Sequence, residues 1–383
     1  MITNVGVIGT GFIGPAHVEA LRRTGRVNVT AIADINEEIA CAKAAELGIL
    51  KAYGDYHGLL ADPEIEVVHI CTPNYLHYAM SKESLLACKH VICEKPFVFT
   101  ETEGEELVAL AKEKGLLGAI HLSIRFYPMV HQAREMVRRG DVGEIFAVNG
   151  SYQQDWLFYD TDYSWRLEPS LGGDSRVIAD IGSHWFDTVE FITGQRVNRV
   201  LADFATFHKT RKKSLKPVET YSGKLLKPED YAEVPITTED YATVLLRFNG
   251  GGHGSFTGNQ VAAGRKNRMA FEIYGSKCSL WYDSERPNEL WIGHRDRPNE
   301  WLLKDPSLVY PEARAIISYP GGHNEGYPDT TKQMLIKVYD YLQAGGSASG
   351  TTPEFAVFED GLRELQLCNA IVRSAQSESW VDI

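Results

Sequence analysis

The sequence predicts an α/β protein in which an N-terminal doubly wound parallel sheet precedes a C-terminal α+β domain with a large open, mostly antiparallel sheet. Over residues 1–122, short apolar runs alternate with helical segments, as in the βαβ units of a parallel sheet. The first of these runs leads directly into a glycine-rich turn. From residue 123 onward, strand-like runs follow one another with few helices between them, which favours an open antiparallel or mixed sheet. We therefore expect two domains, 1–122 and 123–383.

The elements of the first domain follow from apolar runs that end in turn residues and from helices that begin at capping residues. The run at 67–71 is continuously apolar, as a strand covered on both faces requires. Thr100 and Glu103 have the spacing of a capping box at the start of a helix. Strands are predicted at 4–8, 27–33, 67–71, 90–93 and 117–122, and helices at 16–23, 36–47, 53–60, 76–87 and 100–114.

The second domain is predicted to be richer in strands. Its expected strands are 145–152, 200–207, 241–248, 253–257, 269–274, 279–282 and 290–292, and its expected helices are 128–139, 180–192, 330–342 and 354–374. The polar segment 209–240 begins beside a basic run and has two interpretations, a solvated surface loop or a patch that binds an anion or nucleic acid. The acidic balance of the whole chain favours the loop.

The glycine-rich turn is typical of a dinucleotide site. Gly9 permits the tight turn, Gly11 lets the backbone approach a pyrophosphate, and Gly14 lets helix and strand pack closely. The N-terminus of the following helix presents N–H groups to the phosphates. Asp34, at the end of the second strand, can accept hydrogen bonds from both ribose hydroxyls of an adenosine and repels a 2′-phosphate, so NAD is favoured over NADP. Two further expected contacts in the turn are Phe12 and Ile13.

Composition excludes several classes of function. The net charge of −12 argues against nucleic acid or an anionic membrane surface as a partner. The six cysteines include no C-x-x-C pair and are interpreted as buried free thiols. No apolar run approaches the ~20 residues of a membrane span. Because Met1 leads straight into the first predicted strand, we expect no signal peptide. We therefore expect a cytoplasmic protein with neither a membrane nor a nucleic-acid partner.

Two polar turns end neighbouring strands of the predicted parallel sheet. Thr72-Pro73-Asn74 follows the strand at 67–71, and Glu94-Lys95-Pro96 follows the strand at 90–93. Ligands of such sheets bind at this carboxyl edge. Because Lys95 precedes a proline, its backbone is biased toward an extended form, and its amine can reach over a nicotinamide to donate to a substrate oxygen. The alternative is a surface lysine at a strand end.

A second candidate site lies at the start of the helix predicted at 180–192. Asp180 and His184 are four residues apart and share one helix face. A carboxylate beside an imidazole suits general acid–base catalysis, and it also suits half of a metal site. No H-E-x-x-H motif or cysteine pair supplies further ligands, so no metal is expected. A helix cap with a buried histidine is the alternative.

Four ordered motifs resemble the Gfo/Idh/MocA family of oxidoreductases. The motifs are G-x-G-x-x-G followed by His17, T-P-N-x-x-H at Thr72, Pro73, Asn74 and His77, E-K-P at Glu94, Lys95 and Pro96, and D-x-G-x-H-x-x-D at Asp180, Gly182, His184 and Asp187. The resemblance spans the whole chain. It implies an N-terminal Rossmann domain that binds NAD or NADP, oxidation of a secondary alcohol on a sugar or cyclitol, and a homodimer or homotetramer.

The resemblance also implies roles for individual residues. His184 is the general base, Lys95 hydrogen-bonds the reacting oxygen, and Asp180 holds a neighbouring hydroxyl or orients the histidine. Trp165 and Arg166 resemble the pair that closes over the nicotinamide end of the cofactor. Further cofactor contacts are expected from Thr72, Pro73, Asn74, His77, Glu94 and Lys95.

Within the family the chain looks more like the pyranoside-oxidising members than the inositol dehydrogenases. The likeness lies at 152–156, 164–166, 325–327 and 379–382, and it predicts oxidation at C3 of a pyranose or pyranoside. The expected substrate residues are Arg125, Gln154, Trp156, Asp180, His184 and Tyr327. Two segments near the expected pocket depart from the family pattern. The residues at 123–125 replace the usual N-[YR]-R, and Leu157-Phe158-Tyr159 follows Trp156.

Other functions remain open at this point. Among enzymes, the alternatives are an inositol dehydrogenase and a keto-sugar reductase that uses NAD(P)H. From a different class, a non-catalytic, cofactor-binding regulatory protein keeps the glycine turn, but the intact Lys95, Asp180 and His184 argue against it. The aromatic residues at 156–159 have an alternative role in packing between domains.

Overall fold

The computed structural model describes residues 2–215, 228–346 and 352–383. In these ranges the strands are β1 (Thr3–Ile8), β2 (Val27–Ala33), β3 (Lys51–Tyr53), β4 (Val67–Ile70), β5 (His90–Cys93), β6 (Gly118–Ile120), β7 (Ile145–Gln153), β8 (Val197–Ala205), β9 (Thr210–Ser214), β10 (Tyr231–Pro235), β11 (Tyr241–Phe248), β12 (His253–Asn259), β13 (Arg268–Gly275), β14 (Ser279–Asp283), β15 (Glu289–Gly293), β16 (Glu300–Leu303) and β17 (Val381–Asp382). The α-helices are α1 (Ile13–Thr24), α2 (Glu37–Leu47), α3 (Tyr56–Leu60), α4 (His77–Leu86), α5 (Glu101–Lys114), α6 (Pro128–Arg138), α7 (Pro169–Gly172), α8 (Ser183–Thr193), α9 (Pro311–Arg314), α10 (Tyr327–Gln343) and α11 (Phe358–Ser377).

The chain forms two compact units. The first contains Met1–Phe126 and Tyr327–Leu365, and the second contains Tyr127–Gly326 and Gln366–Ile383. Residues 327–365 were expected in the second domain but lie in the first unit, so the division differs from a single boundary after residue 122.

The first unit is built on a six-stranded sheet with the order β3-β2-β1-β4-β5-β6. Every pairing in it is parallel, which confirms the predicted doubly wound sheet. All four residues of β4 are buried, as its continuous apolar sequence predicts. The strand order reverses between β1 and β4, and ligands of such sheets bind at the carboxyl ends of the strands at this switch point.

Capping residues define the helix ends of the first unit, as the sequence predicts. The Asn36 side chain accepts a hydrogen bond from the Ile39 N–H at 2.9 Å at the start of α2. Thr100 and Glu103 form both hydrogen bonds of a capping box at the start of α5. Each such cap satisfies backbone donors that a helix leaves unpaired.

Helix α10 is held in the first unit by ion pairs to Arg23 of α1 and to Arg26, which follows α1. Arg23 pairs with Asp329, and Arg26 donates from Nη2 to Asp340 Oδ2 at 3.2 Å. Further along, the Ile120 N–H of β6 donates to the carbonyl oxygen of Ala356 at 3.0 Å. These contacts explain why a stretch so distant in sequence belongs to this unit.

The second unit is built on a nine-stranded sheet with the order β16-β15-β14-β13-β7-β12-β11-β8-β17. Among the described strands of this sheet only β7 and β12 pair in parallel, so the sheet is mostly antiparallel, as predicted. Helix α8 packs on one face of it through Trp185, whose indole N–H donates to the Ala270 carbonyl at 2.9 Å. Trp185 and Phe186 also contact the ring of Phe256 in β12.

Several local predictions differ from the structure. Residues 51–53 form strand β3, so the helix predicted from 53 begins only at Tyr56. The short strands β16 and β17 were not predicted. No helix among the described residues combines the length and apolar character that crossing a membrane requires.

The polar segment 209–240 is only partly the solvated loop expected from sequence. Strands β9 and β10 pair as an antiparallel ribbon within it. Arg211 of β9 is fully buried, and its guanidinium donates to Asp240 Oδ1 at 2.9 Å. The same carboxylate pairs with the buried Arg176 at 2.5 Å. The expectation was wrong for Arg211, because a distant carboxylate compensates its charge; residues 216–227 lie outside the described part of the chain.

Candidate active site

The glycine-rich turn joins β1 to α1 with the geometry of a phosphate cradle. A Cβ on Gly14 would lie 2.1 Å from the carbonyl oxygen of Gly9, so only glycine fits there. Gly9 has a φ of 90°, in the left-handed region that glycine adopts without strain. A Cβ on Gly11, in contrast, would meet no atom within 4 Å, so nothing in this unit demands glycine at that position. Gly11 is exposed, which leaves its backbone open to a ligand. The turn therefore fits a dinucleotide pyrophosphate at the N-terminus of α1.

Asp34 lies at the end of β2 with its carboxylate fixed in place. Its Oδ2 accepts hydrogen bonds from the backbone N–H of Thr10, at 2.8 Å, and from the Thr10 hydroxyl. Its Oδ1 accepts from the Ile35 N–H at 2.7 Å. These contacts hold a negative group beside the glycine turn, where a ribose is expected and a 2′-phosphate would be repelled.

His77 links the two polar turns at the sheet edge. Its ring is fully buried, with Nδ1 at 2.8 Å from the Pro96 carbonyl oxygen and Nε2 at 3.0 Å from that of Thr72. Burial lowers the pKa of this histidine. Since the ring faces inward, its contribution is to hold the turn that begins at Thr72 and the turn that ends at Pro96. Pro73 and Asn74 lie half-buried in the first of these turns.

Glu94 and Lys95 differ in their surroundings although they are neighbours. The Glu94 carboxylate is buried and contacts His17 Nε2 at 2.9 Å and His121 Nδ1 at 2.6 Å. Lys95 is half-buried at the carboxyl end of β5. The Glu94 side chain therefore faces the interior of the unit, and a cofactor contact from this residue would come from its backbone.

In the second unit, Asp180 lies in a π-helical turn, Ile178–Gly182, that runs directly into α8. Such turns occur often at functional sites. Asp180 Oδ2 accepts from the Gln260 side-chain amide at 2.8 Å, and Arg166 Nε lies 3.7 Å from Asp180 Oδ1. His184, in the first turn of α8, is buried, with its ring centroid 6.3 Å from that of Tyr152. This segment offers an imidazole for proton transfer and, four residues before it, a carboxylate that one hydrogen bond from Gln260 and one ion pair with Arg166 hold.

Gln260 is a site residue that the sequence analysis missed. It is fully buried, and its Oε1 has no hydrogen-bond partner among the described residues. It follows β12 and lies 80 positions from Asp180 in sequence. No local pattern could signal the contact, since the two residues are remote from each other in sequence.

The predicted aromatic and polar residues of the second unit are held by contacts among themselves. The Arg166 guanidinium lies 4.5 Å above the Trp165 ring. The Trp156 indole N–H donates to Gln154 Oε1, and the Gln154 amide donates to Asn267 Oδ1, both at 2.8 Å. The Trp156 ring also packs on a small apolar cluster formed by Leu157, Leu167 and Ile236. Trp156 thus has both a fixed orientation and a packing role.

Two expected substrate residues, Arg125 and Tyr327, lie in the first unit. Arg125 is buried in the 3₁₀ turn Ser123–Phe126, and Tyr327 is the first residue of α10. The other four, Gln154, Trp156, Asp180 and His184, lie in the second unit.

The fold and these groups define an oxidoreductase that depends on a dinucleotide. Sequence comparison gives the family. Residues 3–121 match the profile of an oxidoreductase family with an NAD-binding Rossmann fold, and residues 130–281 match that of the GFO/IDH/MocA C-terminal domain. The chain belongs to the GFO/IDH/MocA family of NAD-binding oxidoreductases.

Individual relatives agree with this assignment. A levoglucosan dehydrogenase of Pseudarthrobacter phenanthrenivorans is 30% identical over 99% of this chain and 98% of its own. A solved structure of levoglucosan dehydrogenase in complex with NADH and L-sorbose has a TM-score of 0.88 and 29% identity, covering 100% of this chain and 98% of its own. A myo-inositol 2-dehydrogenase of Thermotoga maritima is 27% identical over 74% of this chain and 75% of its own.

Proposed function

We propose that the protein oxidises a ring secondary hydroxyl of a pyranose or pyranoside, at C3, to a keto sugar, with NAD as the oxidant. The observation that carries this proposal is the carboxylate of Asp180, held at 2.8 Å by Gln260 in the turn that leads to His184. The full-length similarity to a levoglucosan dehydrogenase supports a sugar substrate.

In the proposed reaction, His184 takes the proton of the reacting hydroxyl. Lys95 donates a hydrogen bond to the same oxygen and stabilises the negative charge that develops on it. Asp180 accepts a hydrogen bond from a neighbouring hydroxyl, and Gln260 and Arg166 keep its carboxylate in one orientation. Bound NAD⁺ supplies the acceptor for the hydride that leaves the carbon.

Preference for NAD is proposed to depend on Asp34. Its carboxylate, fixed by Thr10 and Ile35, cannot easily move away from a 2′-phosphate. A like-charge contact of this kind disfavours NADP.

Recognition of the sugar is proposed to use the half-buried Trp156 ring for its C–H face and polar groups for its hydroxyls. A site built to hydrogen-bond a hydroxyl rejects an analogue that lacks it by as much as about 10⁴–10⁵-fold. A 3-deoxy sugar should be inert, because it also lacks the hydroxyl that is oxidised. As the family resemblance implies, we also propose a homodimer or homotetramer, which sedimentation would test.

The test is a panel of pyranoses, pyranosides and inositols, scored by NADH formation and followed by NMR analysis of each product. A 3-keto sugar is the expected product. Turnover of myo- or scyllo-inositol with none of any pyranoside would place the enzyme with the inositol dehydrogenases. A ketone at another ring carbon would refute the regiochemistry alone.

A further inference from the structure

A chain of buried polar side chains crosses the first unit and ends beside Lys95. The Tyr339 hydroxyl of α10 lies 2.8 Å from His69 Nε2, and His69 Nδ1 lies 2.8 Å from His17 Nδ1. His17 Nε2 then contacts Glu94 Oε1, which His121 Nδ1 also contacts. All five residues are buried. None of the roles assigned so far explains Tyr339, His69, His17 or His121.

Only one arrangement of hydrogens satisfies this chain with an ionised Glu94 and neutral His17 and His69. The carboxylate accepts, so His17 carries its proton on Nε2 and its Nδ1 must accept from His69 Nδ1–H. His69 Nε2 then accepts from the Tyr339 hydroxyl. Burial lowers the pKa of both His17 and His69, which keeps them neutral. Burial alone would raise the pKa of Glu94, but His121 and His17 outweigh it and hold that pKa well below its usual value.

We propose that Glu94 is a positioning residue for Lys95, a buried anionic anchor that His17 and His121 clamp from within the unit. This inference rests on the proposed function, in which Lys95 acts on the substrate oxygen. Glu94 directly precedes Lys95, and the Lys95 backbone N–H lies 3.3 Å from Glu94 Oε2. Fixing the carboxylate therefore fixes the backbone from which the Lys95 amine projects.

The composition of the clamp also suits a metal ion, because His17, Glu94 and His121 each offer one ligand atom. The distances favour hydrogen bonds. Tetrahedral ligands at 2.0–2.1 Å from zinc lie about 3.3 Å from one another, whereas the Glu94 oxygen lies at 2.6 and 2.9 Å from the two imidazole nitrogens. Each of these pairs joins a donor to an acceptor, as hydrogen bonding requires and metal ligation does not.

The experiment compares Glu94→Gln with Tyr339→Phe. The first removes the charge and replaces one carboxylate oxygen with an amide NH₂ group. That group then faces the imidazole donors of the clamp. The second is the matched control, because it alters the same buried chain and leaves every contact of Glu94 in place. Three quantities are measured: kcat on the best sugar, Kd for NADH, and the rate at which an acylating reagent labels the Lys95 amine, followed by peptide mass spectrometry.

Glu94→Gln is expected to lower kcat by about 10²-fold, the effect of misplacing a reacting group by about 1 Å. It should change the Lys95 labelling rate at least threefold, while the Kd for NADH stays within about threefold of the wild type. Tyr339→Phe should lower Tm but leave kcat and labelling within about twofold.

Three results would overturn the inference. The first is an unchanged labelling rate in Glu94→Gln, which needs no turnover and so holds even if no sugar is a substrate. The second is a parallel loss of kcat in both variants, which would mean a structural role only. The third is stoichiometric metal in the purified wild-type enzyme that leaves with Glu94→Gln. Absence of wild-type turnover on every polyol would instead refute the proposed function.

Discussion

Replacing Gln260 with leucine removes one hydrogen bond and almost no volume. In the wild type its amide donates to Asp180 Oδ2 at 2.8 Å from a fully buried position. A hydrogen bond to a charged group contributes about 1.5–3 kcal/mol, so kcat/KM on the best sugar should fall by about 10–150-fold. The Tm should fall by less than the loss of this bond alone implies, because leucine also removes Oε1, which has no hydrogen-bond partner among the described residues. The assay measures kcat/KM, Tm and the Kd for NADH.

A matched control and a second substitution sharpen this test. Gln195→Leu makes the same change two residues after the C-terminal end of α8, away from Asp180. It should leave kcat/KM within about twofold of the wild type. Gln260→Glu places a second carboxyl against Asp180, and two adjacent carboxylates raise one pKa. Below that raised pKa the introduced carboxyl is protonated and donates as the amide does. The ratio of variant to wild-type kcat/KM should therefore recover as pH falls. Wild-type kcat/KM in Gln260→Leu, or an equal loss in Gln195→Leu, would refute the reasoning.

Three further predictions concern the cofactor and the reacting groups. Asp34→Ala should weaken the binding of NAD and reduce the preference for NAD over NADP, measured as the ratio of the two kcat/KM values. A wild-type preference for NADP would contradict the role of this carboxylate. Lys95→Ala or His184→Ala should lower kcat by about 10²–10⁴-fold with little change in NADH binding, and near-normal turnover in Lys95→Ala would return that residue to a surface role. Gly14→Ala should lower Tm and abolish NADH binding, because overpacking against the backbone costs about 1–3 kcal/mol or more. Gly11→Ala should keep the wild-type Tm and weaken only the binding of NADH. A Tm loss equal to that of Gly14→Ala would show that the backbone itself needs glycine at both positions.

Much of the fold was predictable because its signals are local. The apolar run at 67–70, the capping box at Thr100 and the glycines before α1 each act within a few residues. Strand β3 escaped prediction because three residues carry no periodicity, and its pairing with β2 supplies what its sequence lacks. The sequence predicts a solvated Arg211, whereas in the fold its side chain is buried and pairs with Asp240.

For the candidate site, the sequence predicts residues but not the contacts between them. The glycine turn and Asp34 come from a contiguous pattern, and the structure adds the contacts of Asp34 with Thr10. The partners of Asp180 and of Glu94 lie far along the chain, at Gln260 and at His17 and His121. Such pairs arise only when strands bring distant segments together, and a single sequence carries no record of them.

The chain leaves the first unit after residue 126 and returns to it at residue 327. On the ribosome, the roughly 200 residues between these points take about 10–40 s to synthesise at 5–20 residues per second. For that interval the nascent Rossmann sheet lacks α10. Arg23 and Arg26 therefore lack the carboxylates of α10 with which they pair, and His69 lacks the Tyr339 hydroxyl. The earliest segment made is thus among the last to reach its final packing, and a single cut in the polypeptide cannot release either half as an intact piece.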